Sequence, residues 1–123
     1  MLSRGTFAGS GKYSFHWTGD ILSDWTFMEL SIPSMFSFGL FGIPMVGSDI
    51  CGFEGDTTEL LCSRWVQLGS LYPFARNHNH EHAIDQEFHK IGPTLLETAR
   101  KSLHLRYSLL KYYYCIFVLS VRL

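Results

Sequence analysis

His16-Trp17-Thr18-Gly19-Asp20 and Ile43-Pro44-Met45-Val46-Gly47-Ser48-Asp49 decide the reading of this chain. Each opens on apolar or aromatic residues and closes on a glycine and an acid, as a short buried strand with a polar end does. Leu71–Phe74, followed by Ala75-Arg76-Asn77-His78-Asn79, repeats the arrangement. Helical patterns separate the segments. Ser23 or Asp24 is a candidate N-cap. The helix it opens runs through Trp25, Met28, Leu30, Ile32 and Met35, with a kink expected at Pro33. Asp56-Thr57-Thr58-Glu59 fits a capping box, and Leu61, Trp65 and Leu68 give the next helix its stripe. His80–Lys90 reads as a polar surface loop. Gly92-Pro93 opens the longest helix, with Leu96, Ala99, Leu103, Leu110, Tyr114 and Phe117 as its expected apolar face. Upstream, Gly5, Gly9 and Gly11 make residues 4–15 a loop after a strand that is very short or whose start is missing. Strand, polar end and helix thus recur three times, which predicts an α/β fold with parallel strands.

Composition narrows the function. The 123 residues carry a net charge of −1, so no overall basic charge points to nucleic acid. Phe36–Val46 and Tyr112–Val118 are the longest apolar runs, and both fall short of the roughly 20 residues that span a bilayer. Met1–Gly5 is not followed by the apolar stretch of a signal peptide. Three Trp, six Tyr and ten Phe are a large apolar load for so short a chain. They suit a piece of a larger core better than a free-standing domain. Cys51, Cys62 and Cys115 are too few for a disulfide scaffold. All three read equally as buried free thiols, or Cys51 and Cys62 pair across the turn-like Gly52–Thr58. Such a bridge is worth about 3 kcal/mol before strain.

The polar strand ends carry the chemistry. In a parallel βα barrel the active site lies at the C-terminal ends of the strands. Asp20, Asp49 and His78 occupy that place in three successive units, and Arg4 ends a preceding one. Carboxylates accept hydrogen bonds from hydroxyls, and the aromatic faces of Trp17 and Phe53 suit the apolar side of a pyranose. The set describes a sugar pocket. The competing reading is that both acids only cap helices or end strands.

Three blocks resemble the catalytic domain of glycoside hydrolase family 31, the α-glucosidase, sucrase-isomaltase and maltase-glucoamylase type. They are Arg4–Tyr13 with His16–Asp20, Phe41–Phe53, and Trp65–Asn79. Ala99–Lys101 and Leu105–Leu110 resemble the family's final barrel helix. The likeness covers roughly residues 2–114. It implies the C-terminal half of a (β/α)8 TIM barrel over 1–114, incomplete, with a divergent tail over 115–123. It implies retaining hydrolysis of terminal α-linked glucose from oligosaccharides, by two carboxylates about 5–5.5 Å apart, with no cofactor and no metal. Asp20 matches the general acid/base. Arg4, Trp17, Asp49, Phe53 and His78 match positions lining the sugar subsite at the cleavage point. A disulfide can join the positions of Cys51 and Cys62 in secretory members. The residues do not declare a compartment; the family implies the secretory pathway or a lysosome-like one.

The departures are specific. The family's nucleophile lies in a Trp-x-Asp-Met-Asn-type motif that these 123 residues lack, and the resemblance places it upstream of Met1. The early barrel strands, an N-terminal β-sandwich region and C-terminal β-domains are absent as well. Ile21 replaces Asn, Gly5 replaces Ser and Lys111 replaces Pro. The 123 residues alone are therefore expected to be inactive, and to be unstable or to self-associate, because half a parallel barrel leaves open edges. Three rival readings stand beside this one. The first is a non-catalytic carbohydrate-binding or interaction fragment. The second is a metal tract at His78, His80 and His82, against which a polar loop with exposed histidines weighs more. The third is a membrane-surface helix at Tyr112–Val118, against which a continued core stripe weighs more.

Overall fold

The computed structural model describes residues 1–122, with side chains to Leu119; Leu123, the last residue of the expected tail, lies outside the described residues. Strands β1 (Leu2–Ser3), β2 (Phe15–Trp17) and β3 (Val46–Gly47) lie side by side and parallel. Ser3 stands opposite His16, His16 opposite Val46, and Trp17 opposite Gly47. Strand β4 (Asp49–Ile50) pairs in parallel with β5 (Arg76–Asn77), setting Asp49 opposite Arg76. Only Ser48 separates β3 from β4. One extended passage therefore borders β2 first and β5 next. Parallel neighbours need long crossover connections, usually helical. Helix α1 (Trp25–Leu40) joins β2 to β3, and α2 (Glu59–Gly69) joins β4 to β5. A one-turn α3 (Phe88–Ile91) and the long α4 (Pro93–Arg122) follow. The sheet and its crossovers form part of a TIM-barrel arrangement that does not close, as the α/β expectation required.

Two strands sit later than the apolar segments suggested. Of the expected strands at Ile43–Val46 and Leu71–Phe74, only Val46 lies in a strand. Pro44 and Pro73 have no N–H for a ladder. The Ile43 amide closes the end of α1 on Phe38, and those of Leu71 and Tyr72 bond Leu68 and Gly69. Pairing falls instead on the small and polar residues behind them, and Ser48 and Asp49 are buried.

The capping box also forms differently. Thr58 is the N-cap of α2, its hydroxyl accepting from the Leu61 amide at 3.2 Å. Asp56 instead accepts from the Ile84 amide at 2.9 Å. Glu59 reaches the start of α4 and accepts from the amides of Thr94 and Leu95 at 2.9 and 3.2 Å. Those are the N–H groups a helix start leaves without partners. One carboxylate thus ties α2 to α4. Asp24 caps α1, accepting from Phe27, and Pro33 lies inside that helix.

The core gathers Ile21, Ile50, Cys51, Leu61, Cys62, Trp65, Val66, Tyr72, Leu95 and Ala99 between β4–β5 and helices α2 and α4. The buried stripe of α4 is Leu95, Ala99 and Ser102, continued by half-buried Arg106. Leu96, Leu103, Leu110 and Tyr114 are exposed, so the expected face is one residue out of phase except at Ala99 and the half-buried Phe117. Small residues admit α2 closely there. Arg106 then bonds the carbonyls of Ser70, Tyr72 and Pro73, the turn that feeds β5. Phe36 and Leu40 of α1 and Tyr107 of α4 also face outward. Among the described residues no helix is long and apolar enough to cross a membrane.

Candidate functional site

Arg4 follows β1, and Asp20 lies just beyond β2. An Arg4 Nη1 sits 3.9 Å from Asp20 Oδ2, with both side chains largely exposed. Gly19 makes the approach. Its φ is +85°, and a Cβ there would overlap the Arg4 guanidinium.

Asp49 is the opposite case, with none of its side chain exposed. Arg76 Nε donates to Asp49 Oδ1 at 2.9 Å, and Nη2 donates to the same oxygen. Oδ2 is buried without a partner among the described residues. Burial pushes the Asp49 carboxyl above its usual pKa. The Arg76 hydrogen bond and charge, and then His78, pull it down, while the charge of Asp20 pushes it up. The Arg76 guanidinium also lies 5.6 Å from the centre of the Trp17 ring and 5.5 Å from that of Phe74. Trp17 Nε1 is buried and unpartnered as well. Thr18 and Ser48 join the two strand ends through their hydroxyls at 2.9 Å.

Phe53 is held by an unusual turn. Cys51 has φ +77°, the described residues' one non-glycine at positive φ, and Gly52 follows at +85°. The Gly52 amide closes on the Asp49 carbonyl at 3.0 Å, Ser23 Oγ donates to the Cys51 carbonyl at 2.7 Å, and the Phe53 amide bonds Ile21 at 2.9 Å. A Cβ on Gly52 would overlap the Ser23 backbone. A disulfide joins Cys51 to Cys62 of α2, with Cα atoms 4.6 Å apart. That settles one of the two open cysteine readings; Cys115 is a free thiol but exposed rather than buried. The Phe53 and His78 rings are 5.1 Å apart.

All six expected residues follow or end parallel strands, or sit on the loops that leave them. Arg4 pairs with Asp20; Trp17 and Asp49 share Arg76; Phe53 meets His78. Arg76 is absent from the expected set, although a buried carboxylate in one strand calls for a cation across the ladder. Gln86 is absent too. Buried within the stretch read as a surface loop, it donates to the carbonyls of Ile50 and Gly52 at 3.2 Å and to Asn77 Oδ1 at 2.8 Å. Nothing in the sequence marks it. The histidine tract does not gather: no cluster of three or more His, Cys, Asp or Glu suited to a metal occurs among the described residues.

An exposed carboxylate beside a guanidinium, a buried one with a free oxygen, an imidazole and two aromatic faces can bind a polyhydroxylated ring and exchange a proton with it. Comparison with known proteins gives the family. Lysosomal alpha-glucosidase of Rattus norvegicus is 50% identical over 117 residues, 95% of this chain and 12% of the relative. A structure of a glucosidase II alpha subunit with Glc1Man2 bound superposes with a TM-score of 0.85 at 42% identity, covering 91% of this chain and 12% of that one. A dextranase of Flavobacterium johnsoniae, solved with glucose, gives 0.86 at 32% identity, covering 94% and 15%. The chain therefore spans about one eighth of the length of such relatives. Residues 1–116 match the glycosyl hydrolases family 31 TIM-barrel domain, and the chain belongs to that family.

Proposed function

We propose that these residues form the acid/base half of a retaining α-glucosidase site acting on terminal α-linked glucose of an oligosaccharide. The carrying observation is the convergence of Asp20, Asp49, Arg4 and His78 at the C-terminal ends of parallel strands in a family 31 barrel segment. Asp20 protonates the leaving oxygen and then takes a proton from the attacking water. Its exposure leaves it free to do both, with Arg4 Nη1 3.9 Å away. The free oxygen of Asp49 and the ring of His78 bind sugar hydroxyls, while Trp17 and Phe53 shape the pocket. The nucleophilic carboxylate is not among the 123 residues, so turnover belongs to a polypeptide that also carries it. Residues 1–114 are taken as the barrel part and 115–123 as a divergent tail, although α4 runs on without a break. A buried disulfide suits an oxidising compartment, and the proposal places the protein in the secretory pathway or a lysosome-like organelle.

The test is Asp20→Asn in the polypeptide as its source makes it. Hydrolysis of maltose should fall by about 10²–10⁴-fold. An aryl glucoside with a good leaving group should lose much less in its first step. Unchanged maltose hydrolysis would sink the assignment. The single catalytic carboxylate favours a second reading, sugar binding without turnover; glucose or maltose binding with no hydrolysis by the source polypeptide would select it.

A further inference from the structure

Gln86 is buried where the loop that leaves β5 comes back to that strand's end. Its amide nitrogen faces three acceptors, the Ile50 carbonyl, the Gly52 carbonyl and Asn77 Oδ1. Asn77 Nδ2 donates in return to the Gln86 carbonyl at 2.8 Å. The set of acceptors fixes the orientation of the Gln86 amide, because its oxygen turned toward them would meet no donor. Each acceptor belongs to the chain neighbour of a residue placed in the sugar site. Ile50 follows Asp49, Gly52 precedes Phe53, and Asn77 precedes His78. The turn between Ile50 and Gly52 leans on side chains. Cys51 and Gly52 stand one after the other at positive φ. The carbonyls of Ile50, Cys51 and Gly52 are all taken by side chains, the outer two by Gln86 and the middle one by Ser23. The loop returns Gln86 to this place through bonds of its own. Asn79 Nδ2 donates to the Ile84 carbonyl at 2.7 Å, and the Ile84 amide donates to Asp56 at 2.9 Å. Gln86 Oε1, in contrast, is buried with no partner among the described residues. An unpaired buried acceptor costs free energy, so stability alone is a poor account of this side chain. What it supplies is the placement of its donors.

We propose that Gln86 is a positioning residue of the sugar site: it locks the turn before Phe53 to the end of β5, and so holds Phe53 and His78 in place beside Asp49. The proposal rests on the α-glucosidase reading above. Gln86 acts through its three neighbours. The Phe53–His78 ring contact, at 5.1 Å, bridges the same two segments, and Gln86 is the hydrogen-bonded brace beneath it. An apolar side chain of similar volume leaves two carbonyls and the Asn77 oxygen without that donor. The segments then part, and the sugar-lining groups on them lose their mutual geometry.

The experiment is Gln86→Met in the source polypeptide, assayed well below its melting temperature. The KM for maltose and the inhibition constant for glucose should both rise about fivefold to thirtyfold, as one or two misplaced hydrogen bonds allow. The kcat should stay within about threefold, because Gln86 has no bond to Asp20. A merely structural role would lower the melting temperature and the active fraction and leave KM and the glucose constant unchanged; that result overturns the proposal. Asn77→Ala is the second variant, should Gln86→Met fail to fold. It frees the Gln86 amide to turn and should raise the glucose constant about twofold to fivefold, and no change there is equally fatal. Where both variants fold, the double variant should resemble Gln86→Met alone, since the two side chains act as one unit; multiplied effects refute that. If the unmodified protein does not hydrolyse maltose, the α-glucosidase reading fails instead. The Kd for glucose, read by NMR titration, then decides. Weaker binding in Gln86→Met supports the positioning role, and equal binding, or none in the unmodified protein, refutes it.

Discussion

Arg76→Met isolates the physics of the Asp49 site. The change removes the cation and keeps much of the side-chain bulk. It leaves a carboxylate with no exposed surface and without its guanidinium partner. Breaking a buried pair from one side costs about 3–5 kcal/mol. The Arg76 side chain is 31% exposed, so water reaches part of the gap and the lower figure applies. About 3 kcal/mol is a factor of roughly 10² in local opening. Hydrogen exchange of peptides covering residues 46–52 and 72–78 reads it directly and does not need a two-state melt. The pH dependence fixes the cause. Burial already holds the Asp49 pKa above its usual value, and losing Arg76 raises it further. Between the unfolded and folded values the native state holds the extra proton. Stability is therefore present below the unfolded pKa and is lost as pH rises through the folded one. The penalty should be small in acid and full at neutral pH. Asp49→Asn in the same background removes the stranded charge and should recover a good part of the protection. A penalty independent of pH, or no recovery from Asp49→Asn, would refute the argument.

Other outcomes follow from the same contacts. His16 is buried, stacked 3.7 Å from the Phe38 ring centre and bonded at 3.1 Å to the Ser3 carbonyl, and burial holds its pKa below 6.5. The unfolded chain protonates first as pH falls, so this stability is lost from about pH 6.5 down to the folded value and changes no further below it. Exchange protection of β1 and β2 should follow that trend in the native protein and flatten in His16→Gln. Cys51→Ser/Cys62→Ser should cost about 3 kcal/mol by loop closure. By freeing the turn before Phe53, it should raise KM more than it lowers kcat in steady-state assays. The 123-residue chain alone, with Phe36, Leu40, Tyr107 and Tyr114 exposed, should sediment as oligomers or aggregate; a soluble monomer with a cooperative melt would contradict this.

The α/β alternation was legible because its signals are local. Asp24 caps a helix, Pro93 opens one, and glycines close the strands. Strand register was not legible to the residue. Pairing in a buried parallel sheet follows which amides remain free, and Pro44 and Pro73 moved it toward Gly47, Asp49 and Arg76. The phase of α4 failed for a related reason. Leu96, Leu103 and Leu110 marked an apolar stripe, but the buried face of α4 is Leu95, Ala99 and Ser102, one residue earlier in phase. Glu59 shows the limit of local rules. Its position suggested a cap for its own helix, and it caps another 35 residues away. The site residues were named from strand ends and from family likeness. Arg76 needed the ladder, since only pairing reveals what lies across from Asp49.

The two oxygens of Asp49 suggest why a charge is buried there at all. A hydrophobic pair of equal volume would commonly stabilise the fold as well or better. Arg76 directs both of its bonds to Oδ1, leaving Oδ2 with none. Trp17 Nε1, on the ring beside the same guanidinium, is also buried and unpartnered. An unsatisfied buried acceptor or donor costs about 1–3 kcal/mol each. One acceptor and one donor, both set around Arg76, are what a sugar hydroxyl pair satisfies, since each hydroxyl can both give and take. On this view Arg76 serves the ligand more than the fold. It pulls the Asp49 pKa down against burial and places both of its hydrogen bonds on Oδ1, which keeps Oδ2 for a sugar hydroxyl. Glucose should therefore protect residues 46–52 from exchange in the native protein and fail to do so in Asp49→Leu, even where that variant folds more tightly. Equal protection in both would separate Asp49 from sugar binding.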